Sequence, residues 1–518
     1  MSFTRRSLMA GAAAAASMAP FADISFAQAR KVLIMASGQD IPNFDPHVTT
    51  GYTPILMMRN TYDSLVRIEG NPPKPVPHLA ASWTVSPDGM EYVFKLDPKA
   101  KFHDGTPVDA DAVKYNFDRI LRLKKGNSWM VSGVLGPDSV QVIDKGTVRI
   151  KLTKPFVAFL QVLVWQWIAN PKVIEANKGT DDAQNYLRAN IAGSGAFRVK
   201  RAEPGSLYEF ERVADAWNPG GGNLSGAIMR IVRETATQRL MLQRGEAHVA
   251  LDLTSEDMDA LKDKPGVVSV IEPEFRTFSI KMNTENGPLA DVNLRRAISW
   301  AFDYQAMLDT AGYADLMIGP LPTGIFGHDP KLAVPRTDLA KAKEYLAKSK
   351  SPTGGIKLEM VHVTGLEQQR RWALVMLDSL KKLNIDLEIK PTLWTDMVAR
   401  CRSPQTAPDL MPVYQTANYG DPDNIAYAAY HSANNGSWQN MVYHTAKVDK
   451  LIEDARAEVN EDKRKALYLE FQKQVVDDAA DIFGVLEKRK LAFRDGVQNW
   501  KFVPVASNAI ELAPLSLK

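Results

Sequence analysis

Cysteine is almost missing from this 518-residue chain, and Cys401 stands alone. No internal disulfide can form, so the fold must rest on burial and hydrogen bonding. A lone thiol of this kind reads as a small buried apolar residue. An excess of either charge is also lacking: 63 Lys and Arg face 60 Asp and Glu, for a net +3. With the two signs interspersed, a nucleic-acid partner is not expected. The Ala-rich apolar stretch from Leu8 to Ala19 falls short of the roughly 20 residues that a membrane-spanning helix needs. Catalytic signatures are missing as well. There is no G-x-x-x-x-G-K-[ST] and no H-E-x-x-H. Gly220-Gly221-Gly222 sits in a Pro/Asn turn without a dinucleotide-binding context. Gly193-Ser194-Gly195 lacks the G-x-S-x-G spacing of a nucleophile elbow. The eight histidines are scattered; His431 and His444, thirteen apart, show no recognised ligand spacing. A periplasmic enzyme therefore has little support, and neither a metal nor another cofactor is expected.

The N-terminus carries a compartment signal. Thr4-Arg5-Arg6-Ser7-Leu8-Met9-Ala10 has the form of a twin-arginine export signal. Ala27-Gln28-Ala29 then offers small residues at signal-peptidase spacing, which predicts a mature chain beginning near Arg30. No Cys follows the apolar stretch, so a product without a lipid anchor, soluble in the periplasm, is expected. The remaining ~490 residues exceed what one hydrophobic core supports, and at least two domains are predicted. With 24% charged and 45% hydrophobic residues, the composition is that of an ordinary globular protein.

Local order is clearest from Pro77 to Leu121. Tyr92, Phe94 and Leu96 alternate with Val93 and Lys95, a strand pattern. Ser86-Pro87-Asp88-Gly89 before it and Asp104-Gly105 after it are turn chemistry. Asp109 or Asp111 can then cap a helix carrying Val113, Phe117, Ile120 and Leu121 on one face. Farther on, Arg239–Val249 reads as an amphipathic helix, a Gly turn and a strand. Leu294, Ala297, Ile298 and Ala301 form a buried helical stripe that leaves Arg295 and Arg296 to meet solvent or acids. Val448, Leu451, Ile452, Ala455 and Val459 repeat at helical spacing.

The wording of Pro77–Leu121 resembles the signature region of the large periplasmic solute-binding proteins that serve peptide, nickel and opine importers. Asn43-Phe44-Asp45-Pro46, Tyr62–Val66, Gly193–Val199 and Asp291–Ile298 are similar to further elements of that family, and the likeness runs along the whole mature chain. It implies an α/β, two-lobed periplasmic-binding-protein fold of the large, cluster-C type with an extra inserted subdomain. The corresponding division is a signal peptide at 1–29, lobe I at 30–74, an inserted subdomain at 75–189, lobe I again at 190–283, lobe II at 284–490 and a return to lobe I at 491–518. The implied function is capture rather than chemistry: a monomer closes about a ligand and docks on an inner-membrane ABC permease.

The resemblance also frames the ligand. Tyr414 to Asn424 is similar to the family's pocket segment and ends in its "GDPDN" motif, Gly420 to Asn424. Dipeptide-binding relatives carry there an aspartate for the ligand's ammonium, at the position of Asn418, and an arginine for its carboxylate, at the position of Val363. Losing both matters, because a buried unpaired charge costs several kcal/mol. A peptide held mainly through its backbone ranks first. A sugar, opine or other small organic solute ranks next, since an amide at 418 both donates and accepts. A nickel chelate, with His431 as contributor, ranks last. The candidate binding residues are Tyr52, Tyr414, Asn418, Tyr419, Asp421 and Trp438.

Overall fold

A computed structural model describes residues 31–49, 52–506 and 510–518, with the side chains of 52, 53 and 506 left out. The leader expected at 1–29 lies outside the described residues.

Two long strands, Val267–Met282 and Asp481–Arg494, run antiparallel through the middle of an eleven-stranded sheet. Their pairing shifts register at two places: at Gly484, which is skipped between the Phe278–Val485 and Ser279–Phe483 pairs, and, more widely, between Pro273 and Thr277. Pro273 faces Lys488 and Thr277 faces Leu486, so three residues oppose one. Pro273 has no N–H to give the ladder, and such an interruption bends the strand and increases its twist. On one side of this bulge the sheet continues through Val249–Ala250, Val32–Ser37 and Gly226–Ile231 to Leu207–Arg212 and Phe197–Glu203. On the other side it continues through Leu410–Thr416 and Ile356–Val363 to Ile385–Thr392. These last three run parallel to one another, so their carboxyl ends, Thr416, Val363 and Thr392, share one edge.

Between the first strand and Phe197, a separate antiparallel sheet forms from Ala80–Val85, Glu91–Leu96, Thr147–Lys151 and Val140–Asp144. Tyr92, Phe94 and Leu96 are its buried side, as the alternation predicts. Helix Ala110–Leu123 packs on this sheet, capped by the Asp109 carboxylate, which accepts the Ala112 N–H at 3.0 Å. From that helix Arg119, fully buried, reaches Asp45 in a two-pronged ion pair at 2.7 and 2.9 Å. This pair joins the inserted sheet to the Asn43–Pro46 segment.

Two local expectations are corrected. Arg295 does not meet solvent or acids: it is buried and donates to the carbonyls of Leu289, Asp478 and Ala479. Arg296 likewise donates to the Asp477 carbonyl. Both cations thus sit at the C-terminal end of helix Glu461–Asp477, where the helix dipole favours positive charge. Val459 is not part of a buried stripe. Helix Ala446–Ala457 ends before it and leaves it 54% exposed. Cys401 is fully buried, and burial pushes its thiol up to about 11, so it is inert.

Candidate ligand site

Strand Leu410–Thr416 ends beside the bulge, where the Ala417 N–H donates to the Phe275 carbonyl at 2.8 Å. The chain then turns through Asn418, Tyr419 and Gly420 into helix Asp423–Tyr430. Each side chain in the turn has a definite place. The Tyr419 ring is buried and its hydroxyl donates to Asp423 at 2.8 Å; burial raises this phenol far above its usual range. Asp421 accepts two bonds from Arg464, at 2.7 and 2.8 Å, and one from the Asp423 N–H at 2.9 Å. Its carboxylate is thus spent inside the protein. Asp423 lies against Arg456 at 3.1 Å; burial pushes its carboxyl up while the guanidinium pulls it down. Gly420 is required by close approach: a Cβ there would stand 2.6 Å from Pro73 Cγ.

Asn418 differs from its neighbours. Its backbone N–H is used by the Asn424 side chain at 2.9 Å, but its carboxamide makes no hydrogen bond among the described residues. It lines a cavity of about 70 Å³ together with Thr416. The opposite walls come from Thr49, Pro54, Ile55 and Met58, from Asn127, Trp165 and Trp167, and from Val505. None of these ten side chains is charged. Trp165 is only 5% exposed, and its indole Nε1 has no hydrogen-bond partner among the described residues. Trp167 is fixed through its carbonyl, which accepts from His47 Nε2 at 2.9 Å. Burial and the adjacent Arg119 hold His47 down at about 4, so it is neutral.

Four cavities are larger, of about 720, 670, 500 and 350 Å³, and size alone would favour them. None of the four is lined by a residue of strand Leu410–Thr416 or of the turn that follows it, and the largest is lined wholly by residues between 41 and 204. The small cavity sits instead where strand carboxyl ends meet the crossing strands, the position at which open α/β sheets bind ligands. We therefore take it as the site.

Tyr414, Trp438 and His431 are not among the residues that line it. Tyr414 is on the preceding strand, half-buried, edge-on to Phe278 with ring centroids 4.6 Å apart and beneath Arg276. Trp438 packs against Trp394 at 5.3 Å and against the apolar cluster of Val361 and Val363. Tyr52 opens helix Tyr52–Thr61, and its side chain lies outside the described residues. His431 stacks on Tyr427 and approaches Glu453 at 3.2 Å. No cluster of three or more His, Cys, Asp or Glu suited to a metal occurs among the described residues. Sequence reading missed Trp165, Trp167 and Asn127. The first two stand in an apolar run, Leu160–Ala169, that reads as core, and only the unpaired indole N–H sets Trp165 apart.

Comparison with known proteins agrees with this architecture. The probable D,D-dipeptide-binding periplasmic protein DdpA of Escherichia coli K12 is 30% identical over 94% of both chains. The glutathione-binding protein GsiB of Pectobacterium atrosepticum is 28% identical over 68% of this chain and 67% of its own. Among solved structures, HbpA2 of Haemophilus parasuis superposes with a TM-score of 0.84 at 22% identity, covering 94% of this chain and all of its own. DppA of Helicobacter pylori, in complex with the peptide STSA, gives 0.79 at 23% identity over 94% of this chain and 98% of its own. Both share the two-lobed fold. The family model matches residues 74–437, and with the identity to DdpA it establishes that this chain belongs to the bacterial extracellular solute-binding proteins, family 5.

Proposed function

We propose that this protein is the periplasmic, monomeric binding component of an ABC importer, and that its ligand is a peptide held through its backbone. The observation that carries this reading is the uncharged cavity at Asn418, in a chain whose similar proteins are named for dipeptides, glutathione and di- or tripeptides. At about 70 Å³ the cavity falls below the roughly 300–1,000 Å³ of small-molecule sites. Ligand entry therefore needs the two halves to part. The bulge at Pro273–Thr277 and its counterpart at Leu486–Lys488 are the proposed hinge and the proposed lobe boundary. Affinity then arises from contacts made only on closure, since a ligand that binds both forms equally shifts nothing. The permease would recognise the closed form.

A thermal-shift screen of refolded, ligand-stripped protein tests this. At a hundredfold excess over Kd, binding adds about 2.7 kcal/mol, or ~3 °C for a chain of this size. Peptides are expected to give that shift. A shift with sugars or opines alone would replace the peptide by another small organic solute; of these, two indoles beside an amide favour a sugar. The leader reading has its own test: replacing Arg5 and Arg6 by Lys should leave precursor in the cytoplasm, and efficient export would refute it.

A further inference from the structure

We propose that Trp165 is the ligand's hydrogen-bond donor, and that the group it receives is an uncharged peptide amide rather than a free terminus. This rests on the peptide reading and narrows it. Buried donors are almost always paired, because an unpaired one has given up its water for nothing. Trp165 lines the cavity that Asn418 lines, and its Nε1 is buried and unpaired among the described residues. A second unpaired buried atom, Gln161 Oε1, comes from the same segment. It lies 3.3 Å from where a Cβ on Gly420 would stand. Gln161 does not itself line the cavity; the donor that the segment brings to it is Trp165, the complement of a peptide group's C=O.

Charge points the same way. Among the described residues the cavity walls hold no ionised side chain, and the carboxylates nearest in sequence are already engaged: Asp421 by Arg464, and Asp423 by Arg456 and Tyr419. An ammonium or carboxylate placed there would meet no counter-charge. A main-chain amide or a blocked terminus is therefore preferred over a free one.

The test uses the ligand-stripped protein and calorimetric titration with trialanine and with N-acetyl-trialanine amide. The blocked peptide should bind at least as tightly as the free one. Trp165→Phe, which keeps the ring and removes the N–H, should weaken it about tenfold, the effect of one net hydrogen bond. Blocked peptide binding tenfold weaker than free, or Trp165→Phe leaving affinity unchanged, would overturn the proposal. If neither peptide binds, the peptide reading itself fails. Trp165→Phe is then measured with whichever solute the thermal screen finds, and unchanged affinity overturns the donor role. Should the variant not fold, the indole ¹H–¹⁵N resonance of Trp165 in the wild type decides. It is expected to move downfield at ligand saturation, and an unmoved resonance refutes the contact.

Discussion

Asp421 offers the sharpest separation of a structural role from a binding one. Both partners of the Asp421–Arg464 pair are buried, at 8% and 7% side-chain exposure, and the contact is two-pronged. Arg464 stands in the first turn of helix Glu461–Asp477, where the dipole disfavours a cation, so it depends on Asp421 for compensation. Asp421→Asn removes that charge but keeps one acceptor, and the Arg464 contacts with the Ala455 carbonyl and the faces of Tyr468 and Phe326 survive. Breaking a buried pair costs about 3–5 kcal/mol, and these remaining contacts place the variant near ~3. Unfolding entropy is about 2.1 cal/mol/K per residue, which gives ~1 kcal/mol/K for this chain and a Tm lower by ~3 °C if it melts as one unit. Should the halves melt separately, the affected transition falls about twice as far or more. Scanning calorimetry reads the shift, and peptide titration at 15 °C, where the variant stays folded, reads the affinity. A variant that melts like the wild type but no longer binds peptide would make Asp421 a ligand contact and defeat the argument. Arg464→Lys should also melt early, because an ammonium cannot reproduce the fork.

Asn418→Asp puts a charge into a neutral cavity and should weaken the blocked peptide while improving a free amine; equal loss for both would count against the neutral site. His47, neutral in the fold and held at about 4 against 6.5 unfolded, contributes stability that is complete above pH 6.5 and is lost as pH falls through 4. The amount is ~3 kcal/mol. The Tm of His47→Gln should accordingly fall less between pH 7 and 4 than that of the wild type, and parallel decline would refute it. Lys281 and Asp481 face each other across the two long strands at 2.7 Å, both buried. Lys281→Met should cost about 3–5 kcal/mol by denaturant midpoint, and Lys281→Met with Asp481→Leu should recover most of it. A single variant that unfolds at the wild-type midpoint would show that the pair contributes nothing.

What could be read from the chain divides by the distance over which each residue finds its partner. The Glu91–Leu96 alternation, the Asp109 cap and the stripe of Leu294, Ala297 and Ile298 depend on neighbours within a few positions, and all three stand as expected. Arg295 was misread because a helix-face pattern prices a guanidinium as solvent-bound. Its acceptors at 478 and 479 lie some 180 positions away and close its hydrogen bonds without water. The same separation governs the site. Asn418 stands out in sequence because it departs from a family segment at one position, and in the fold it lines the candidate cavity. Tyr419 and Asp421 beside it are equally polar in sequence, yet their partners at 423 and 464 consume them. Trp165 is the reverse case, an indole in an apolar run whose polar atom gains meaning only because it has no partner among the described residues. A candidate site assembled from residues 49 to 505 thus shows in sequence only where it departs from a known pattern. It stays hidden where the proposed contact rests on a donor that the described residues leave unpaired.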